Sequence, residues 1–84
     1  MSFDGTYNGY KNRQTWNVAL HIGNDYHLYV AAKEYVKRVG KRHATYDGLL
    51  LSLGFGPRDW TPDGVWWVDK RISRLEMRHF LQDL

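Results

Sequence analysis

The chain has 84 residues, which is enough for one hydrophobic core and too few for two. Hydrophobic residues make up 43% of it and charged residues 25%, a balance that is typical of a globular domain and excludes a disordered chain. There is no cysteine, which excludes disulfides, thiolate nucleophiles and cysteine-bound zinc.

The first ten residues are polar and rich in glycine. This composition predicts a flexible lead-in over residues 1–10, followed by a single globular domain over residues 11–84. The aromatic residues of the lead-in, Phe3, Tyr7 and Tyr10, are expected to dock onto that domain. No apolar run approaches the ~20 residues of a membrane span, so we expect a cytoplasmic protein with no membrane partner.

Residues 12–23 fit two secondary structures. A helix is indicated by Asn12 as a possible cap, by Gly23 as a stop and by apolar residues three and four apart. A strand is indicated by the alternation of Trp16, Val18, Leu20 and Ile22. Intrinsic propensities are divided between the two, and we favour the helix.

Three further helices are predicted from their caps and apolar spacing. Residues 25–39 begin after Asn24 or Asp25 and end at Gly40, and residues 45–53 begin at Thr45 and end at Gly54. The last helix begins at a capping box formed by Ser73 and Glu76, in which each side chain accepts from a backbone amide near the helix start. Ile72 and Met77 flank this box at the spacing of a hydrophobic staple.

The segment between the last two helices is rich in glycine and proline. It predicts an irregular loop over residues 54–64, with a turn at Pro62–Gly64 and with Phe55 and Trp60 holding the loop to the core. Residues 65–68 are predicted to be extended.

These elements predict a mostly α fold, a compact small domain of three or four short helices with a long irregular loop before the last helix. The alternative is an α+β fold in which residues 15–22 and 65–68 pair as two short strands.

The polar residues do not form a recognisable catalytic or metal-binding pattern. No two of the four histidines lie three or four residues apart, the spacing that usually brings metal ligands together on a helix. Asp59, Asp63 and Asp69 stand where turns recruit aspartate, and no phosphate-binding glycine motif is present. We therefore predict a protein that is not an enzyme, with no catalytic, cofactor or metal site.

Positive charge is concentrated in two segments. Residues 33–43 hold five Lys or Arg against one Glu, and residues 70–79 hold four against one, whereas residues 44–69 hold one Arg against four Asp. Clustered cations of this kind bind phosphate backbones, although helix ends also attract them. The candidate nucleic-acid-binding residues are Lys33, Lys37, Arg38, Lys41, Arg42, Lys70, Arg71, Arg74 and Arg78. The three lysines lie four residues apart and share one face if the helix continues past Gly40.

The tryptophans are the candidate contacts for a protein partner. In extended backbone, adjacent side chains point to opposite faces, so Trp66 and Trp67 cannot both enter one core. One of the two rings is therefore expected to be exposed or to lie under a loop. An exposed tryptophan is a typical anchor for a partner, and Trp60, Trp66 and Trp67 are the candidates.

The segment from Asn12 to Asp25 (NRQTWNVALHIGND) and the later segment Thr61–Val65 (TPDGV) resemble a recurring pair of motifs. The chain is similar to a family of small proteins of bacteriophages, notably those of cyanobacteria, and of bacterial mobile elements. Their signature reads N-x-x-T-W-x-V-x-L-W-x-x-N-D, and this chain departs from it at His21, where the second tryptophan is replaced.

The resemblance implies an accessory protein of phage type that acts by occupying a host protein in the host cytoplasm. The function expected first is therefore non-enzymatic binding of a host protein. The alternative is nucleic-acid binding through residues 33–43 and 70–79.

Overall fold

The computed structural model describes residues 7–84, and within this range the chain forms four helices. They are α1 (Arg13–Asn24), α2 (Tyr26–Val39), α3 (Tyr46–Leu53) and α4 (Arg74–Gln82). The mostly α fold is confirmed, and so is the long irregular loop before the last helix.

Each helix begins at a residue whose side chain accepts a hydrogen bond from the backbone of the first turn. Asn12, Asp25, Thr45 and Ser73 cap α1 to α4 in this way, with donor–acceptor distances between 2.9 and 3.1 Å. These bonds satisfy amides that would otherwise lack a partner at the helix start. At the other end, Gly54 adopts a left-handed conformation with φ of 78° and closes α3.

The segment over residues 12–23 is helical, and the α+β alternative is wrong. Val18 and Ile22 satisfy the apolar spacing of a strand and of a helix alike, and both are completely buried on α1. Residues 65–68 do not form a strand either. Instead, Trp66 makes an isolated antiparallel bridge to Trp60 inside the loop.

The core lies between the helices, with α2 in contact with each of the other three. Tyr46, Leu49, Met77 and Leu81 are its largest fully buried side chains from α3 and α4. Close approach between helices requires Gly48, because a β-carbon there would collide with the Tyr35 hydroxyl.

The predicted capping box at α4 is half right. The Ser73 hydroxyl accepts from the Glu76 amide, and the staple residues Ile72 and Met77 are both buried. Glu76 does not reach back to Ser73, however. The Ser73 amide donates to the Thr15 hydroxyl of α1 at 2.9 Å, so the Glu76 carboxylate is left to accept from the Lys11 amide at 2.7 Å.

The predicted lead-in is described only in part. Phe3 lies outside the described residues. Residues 7–10 form a tight turn closed by two backbone hydrogen bonds between Tyr7 and Tyr10. The Tyr7 ring packs on Trp16 at 5.1 Å, and Tyr10 packs against the core, as the docking prediction expected. The flexibility of residues 1–10 stays a prediction.

Candidate functional site

A buried polar network joins α1 to the loop that precedes α4. Asn17, which is completely buried, donates from Nδ2 to the Asp63 carboxylate at 2.8 Å and accepts at Oδ1 from the Thr61 hydroxyl at 2.6 Å. The Thr61 hydroxyl in turn accepts from the Val65 amide. His21 Nε2 lies 2.8 Å from the same Asp63 carboxylate. The network therefore fixes the turn at Pro62–Gly64 against one face of α1.

The electrostatics of this network favour an ionised Asp63. The hydrogen bond from Asn17, followed by that from His21, holds the pKa of the Asp63 carboxyl below its usual value. Arg13 adds a contact from α1, because its guanidinium donates to the Asp63 carbonyl. The turn is thus bound through backbone and side chain together.

Trp60 and Trp66 stand on either side of this turn and pack on each other. Their ring centroids are 4.7 Å apart with the planes tilted by 49°, and the backbones of the two residues form the isolated bridge. Trp60 is 54% exposed and Trp66 is 44% exposed. The loop therefore presents a pair of large rings to solvent, which we call the tryptophan pair.

The prediction that Trp60 holds the loop to the core is wrong. That role belongs to Trp67, which is 2% exposed and stacks on Phe55 at a centroid distance of 4.6 Å. The Trp67 backbone is held as well, since its carbonyl accepts from the Tyr46 hydroxyl and its amide donates to the Asp59 carbonyl. Because Phe55 and Trp67 fill the space beneath the loop, Trp60 is left outside.

The expectation that one of two adjacent tryptophans enters the core and the other does not is confirmed. Trp67 is a core residue, so it is withdrawn as a candidate partner contact. Trp60 and Trp66 remain.

Two depressions border the tryptophan pair. One, of about 550 Å³, is lined by Pro57, Trp66, Val68, Asp69, Lys70 and Arg71. The other, of about 260 Å³, separates the pair from the start of α1 and includes Arg13 and Gln14. Arg71 contributes to both. Its guanidinium is held by the Asp69 carboxylate through Nε and Nη2, and this contact keeps the pKa of Asp69 below its usual value.

The predicted basic cluster over residues 70–79 is largely used inside the molecule. Arg71 pairs with Asp69. Arg74 pairs with Asp47 at 3.1 Å, donates to two backbone carbonyls and lies over the Tyr46 ring. Arg78 donates to the Arg42 carbonyl at 2.9 Å. Within residues 7–84, Lys70 is the member of this cluster that makes neither a hydrogen bond nor an ion pair through its side chain.

The cluster over residues 33–43 is more open. Arg38 donates to Ser52 and lies over the Tyr35 ring, and Lys33 lies over the Tyr29 ring. The side chains of Lys37, Lys41 and Arg42 form no hydrogen bond or ion pair with the described part of the chain. The helix does not continue past Gly40, yet Lys33, Lys37 and Lys41 still line one groove. The structure thus places the three lysines together although α2 ends at Val39.

Asn17 and Thr15 are buried polar residues that join distant segments, and neither was among the predicted functional residues. Asn17 contacts the loop 44 and 46 residues further on, and Thr15 contacts the start of α4. Their signal was indirect: both lie inside the first motif, and Thr61 and Asp63 lie inside the second. The structure brings these two segments into contact.

Comparison with known proteins identifies a family but no activity. A family of unknown function, DUF7249, matches residues 3–84. Neither the curated proteins nor the solved structures include a significant match to the chain. No helix within residues 7–84 is long and apolar enough to cross a membrane. Among the same residues, no three His, Asp or Glu side chains are close enough to share a metal ion.

Proposed function

We propose that this chain, which belongs to the family of unknown function DUF7249, is a non-enzymatic binding protein that holds a partner protein through the tryptophan pair. The supporting observation is the geometry of Trp60 and Trp66, which pack on each other at 4.7 Å while about half of each ring faces solvent. Large apolar side chains of this kind gain the most free energy when a partner covers them.

The tryptophan pair is held rigidly, which favours binding. The backbone bridge between Trp60 and Trp66 fixes their spacing, and the Asn17–Thr61 hydrogen bond fixes the turn between them to α1. A partner therefore binds rings that are already ordered, and little side-chain entropy is lost. Arg71, whose guanidinium is held by Asp69, borders the pair. Arginine, like tryptophan, is enriched among the residues that contribute most of the binding energy at protein interfaces.

The non-enzymatic part of the proposal rests on how the polar side chains are used. Asp59 accepts from the Gly56 amide, Asp63 holds the turn to α1, and Asp69 holds Arg71. Ser73 caps α4. Each of these groups stabilises local structure. Asp63 also faces His21 Nε2 at 2.8 Å, and this contact belongs to the network that holds the turn to α1.

The resemblance to bacteriophage proteins directs the search for the partner. We propose that the partner is a host protein and that the two meet in the cytoplasm of the host cell. The two motif segments contain Asn17 and Thr61, whose hydrogen bond holds the turn between Trp60 and Trp66 to α1, and this supports a role for the tryptophan pair.

The test is an affinity purification from bacterial host lysate that compares three versions of the protein. The double variant Trp60→Ala/Trp66→Ala removes the tryptophan pair. The control variant Leu51→Ala/Leu75→Ala removes two other exposed apolar side chains, 83% and 65% exposed. We expect a stoichiometric partner that the native chain and the control retain and that the tryptophan variant loses. Equal retention by all three versions would refute the proposed surface.

Nucleic-acid binding by residues 33–43 and 70–79 is the second candidate. One observation favours it: Arg78 donates to the Arg42 carbonyl and Gln82 donates to the Lys41 carbonyl, so α4 brings the two clusters into contact. A gel-shift assay at low salt tests it with a variant in which Lys37, Arg38, Lys41 and Arg42 are replaced by glutamine. Affinity that falls steeply with salt and is lost in this variant would support it, and no shift at low salt would end it.

A further inference from the structure

An open groove on α2 is separate from the tryptophan pair. Its volume is about 440 Å³, and its lining combines aliphatic surface from Val36, Gly40 and Leu84 with charged side chains. The charged side chains are Lys33, Lys37 and Lys41, with Glu34 as the single acid. We call this feature the lysine groove. It has an aliphatic floor and a positively charged rim.

The charge of the rim is available to a ligand. Lys33 lies over the Tyr29 ring at 5.3 Å, a contact that leaves its ammonium group able to bind an anion. Lys37 and Lys41 are exposed, and their side chains form no ion pair within residues 7–84. A bound carboxylate would therefore not have to displace an existing partner from either lysine.

We propose that the lysine groove binds an acidic peptide segment that inserts an aliphatic side chain between the lysines. Charge complementarity supplies the first reason, since three lysines and only one acid, Glu34, line the groove. Spacing supplies the second. Residues four apart on a helix are about 6 Å apart along its axis. Alternate residues of an extended peptide are about 6.6 Å apart. Two acidic residues on one side of the peptide therefore match Lys33 and Lys37, which both lie on α2. Lys41 follows the end of the helix and adds to the positive rim.

The lining distinguishes this ligand from a single-stranded nucleic acid. Proteins that bind single strands supply aromatic rings on which bases stack, but no aromatic residue lines the lysine groove. The aliphatic floor of Val36 and Leu84 matches an aliphatic side chain. Neither Trp60 nor Trp66 lines the groove, so this site and the proposed tryptophan surface can be tested separately.

The experiment measures fluorescence anisotropy of three labelled probes with the full chain. The first is a short peptide in which every second position is Asp or Leu and the positions between are Gln, so that the Asp and Leu side chains point to one side of an extended chain. The others are the same peptide with Ser in place of Leu, and an oligothymidylate. One variant replaces Lys33, Lys37 and Lys41 with glutamine. The matched control has the same net charge and replaces three cations outside the groove with glutamine, namely Lys11, Arg58 and Lys70. Circular dichroism establishes that both variants remain helical.

We expect the native chain to bind the Asp–Leu peptide more tightly than the other two probes. The groove variant loses three exposed ion pairs with the peptide, each of modest strength, so it should weaken this binding about tenfold. The control should retain most of the affinity, because its substitutions affect only the long-range field. Leu84→Ser keeps the lysines and should weaken the Asp–Leu peptide while leaving the Asp–Ser peptide unchanged.

Four results would overturn the proposal. The first is equal loss of affinity in the groove variant and in the control, which would mean a non-specific effect of net charge. The second is equal binding of the Asp–Leu and Asp–Ser peptides, which would show that the aliphatic floor has no role. The third is tighter binding of the oligothymidylate than of either peptide, which would assign the lysines to nucleic acid. Undetectable peptide binding would also reject the proposal.

Discussion

Replacing Asn17 with alanine tests whether the buried network holds the loop that carries the tryptophan pair. Asn17 has no exposed surface, and Thr61 is 3% exposed. The substitution removes the acceptor of the Thr61 hydroxyl and leaves its O–H donor buried without an acceptor, which costs about 1–3 kcal/mol. Loss of the packed amide leaves a small void and raises the destabilisation to about 2–4 kcal/mol. We assign almost nothing to the lost Asp63 contact, because water can replace it.

This cost is large for a domain of such size. Typical stabilities of 0.05–0.15 kcal/mol per residue give about 4–12 kcal/mol for this chain. Urea unfolding, followed by tryptophan fluorescence and circular dichroism, measures the difference from the native chain. The control is Asn24→Ala at the exposed end of the same helix, where we expect a change within about 0.5 kcal/mol.

A double-mutant cycle with Thr61→Val isolates the hydrogen bond between Asn17 and Thr61. We expect a coupling free energy of about 1 kcal/mol or more, because the second substitution removes the hydroxyl that the first one leaves unpaired. If Asn17→Ala is no more destabilising than Asn24→Ala, or if the two effects in the cycle simply add, the network does not stabilise the fold as argued.

Two further predictions concern the capping of α4 and the core tyrosine. Ser73→Ala should destabilise the protein by about 1 kcal/mol through loss of the cap. Glu76→Ala should mainly raise the rate of hydrogen exchange at the Lys11 amide, and an unchanged rate would contradict that contact. Burial raises the pKa of the Tyr46 hydroxyl well above its usual range, with Arg74 opposing the shift. In the unfolded chain the Tyr46 hydroxyl loses its proton near pH 10, whereas in the folded protein it stays protonated at that pH. The free energy of unfolding should therefore decrease as the pH rises above about 10. Tyr46→Phe should make the free energy of unfolding depend less on pH in this range. It should also cost about 1–2 kcal/mol at neutral pH, since the Trp67 carbonyl loses its donor. If urea unfolding at high pH shows the same pH dependence in the variant as in the native chain, the assignment to Tyr46 is wrong.

Much of the secondary structure could be predicted from the sequence, because the determining interactions are local. The caps at Asp25, Thr45 and Ser73 bind amides three residues further along the chain. The stop at Gly54 depends on its own backbone conformation. Asn12 gave the same kind of signal for α1, but the apolar alternation of that segment supported a strand as well. Gly23, which was predicted to stop the helix, lies inside it, and α1 ends at Asn24. The segment is a helix that packs on α2 and α4, with Val18 and Ile22 buried one turn apart.

The candidate site could be predicted only in outline. The alternation of side chains in extended backbone required that Trp66 and Trp67 point apart, but not which ring would be buried. That choice depends on contacts from two other parts of the chain. Phe55 stacks on the Trp67 ring, and the Tyr46 hydroxyl donates to the Trp67 carbonyl. The same packing leaves Trp60 exposed, although its position in the loop predicted a contact with the core.

The basic clusters, too, could be predicted from the sequence only in part. Their clustering was visible in the sequence, whereas their availability was decided by contacts such as that of Arg74 with Asp47, 27 residues away. Local capping needs only neighbouring residues, so short patterns are sufficient to predict it. Burial and pairing depend on which distant segments meet, as Asn17 and Asp63 do across 46 residues, and that is settled only when the helices pack.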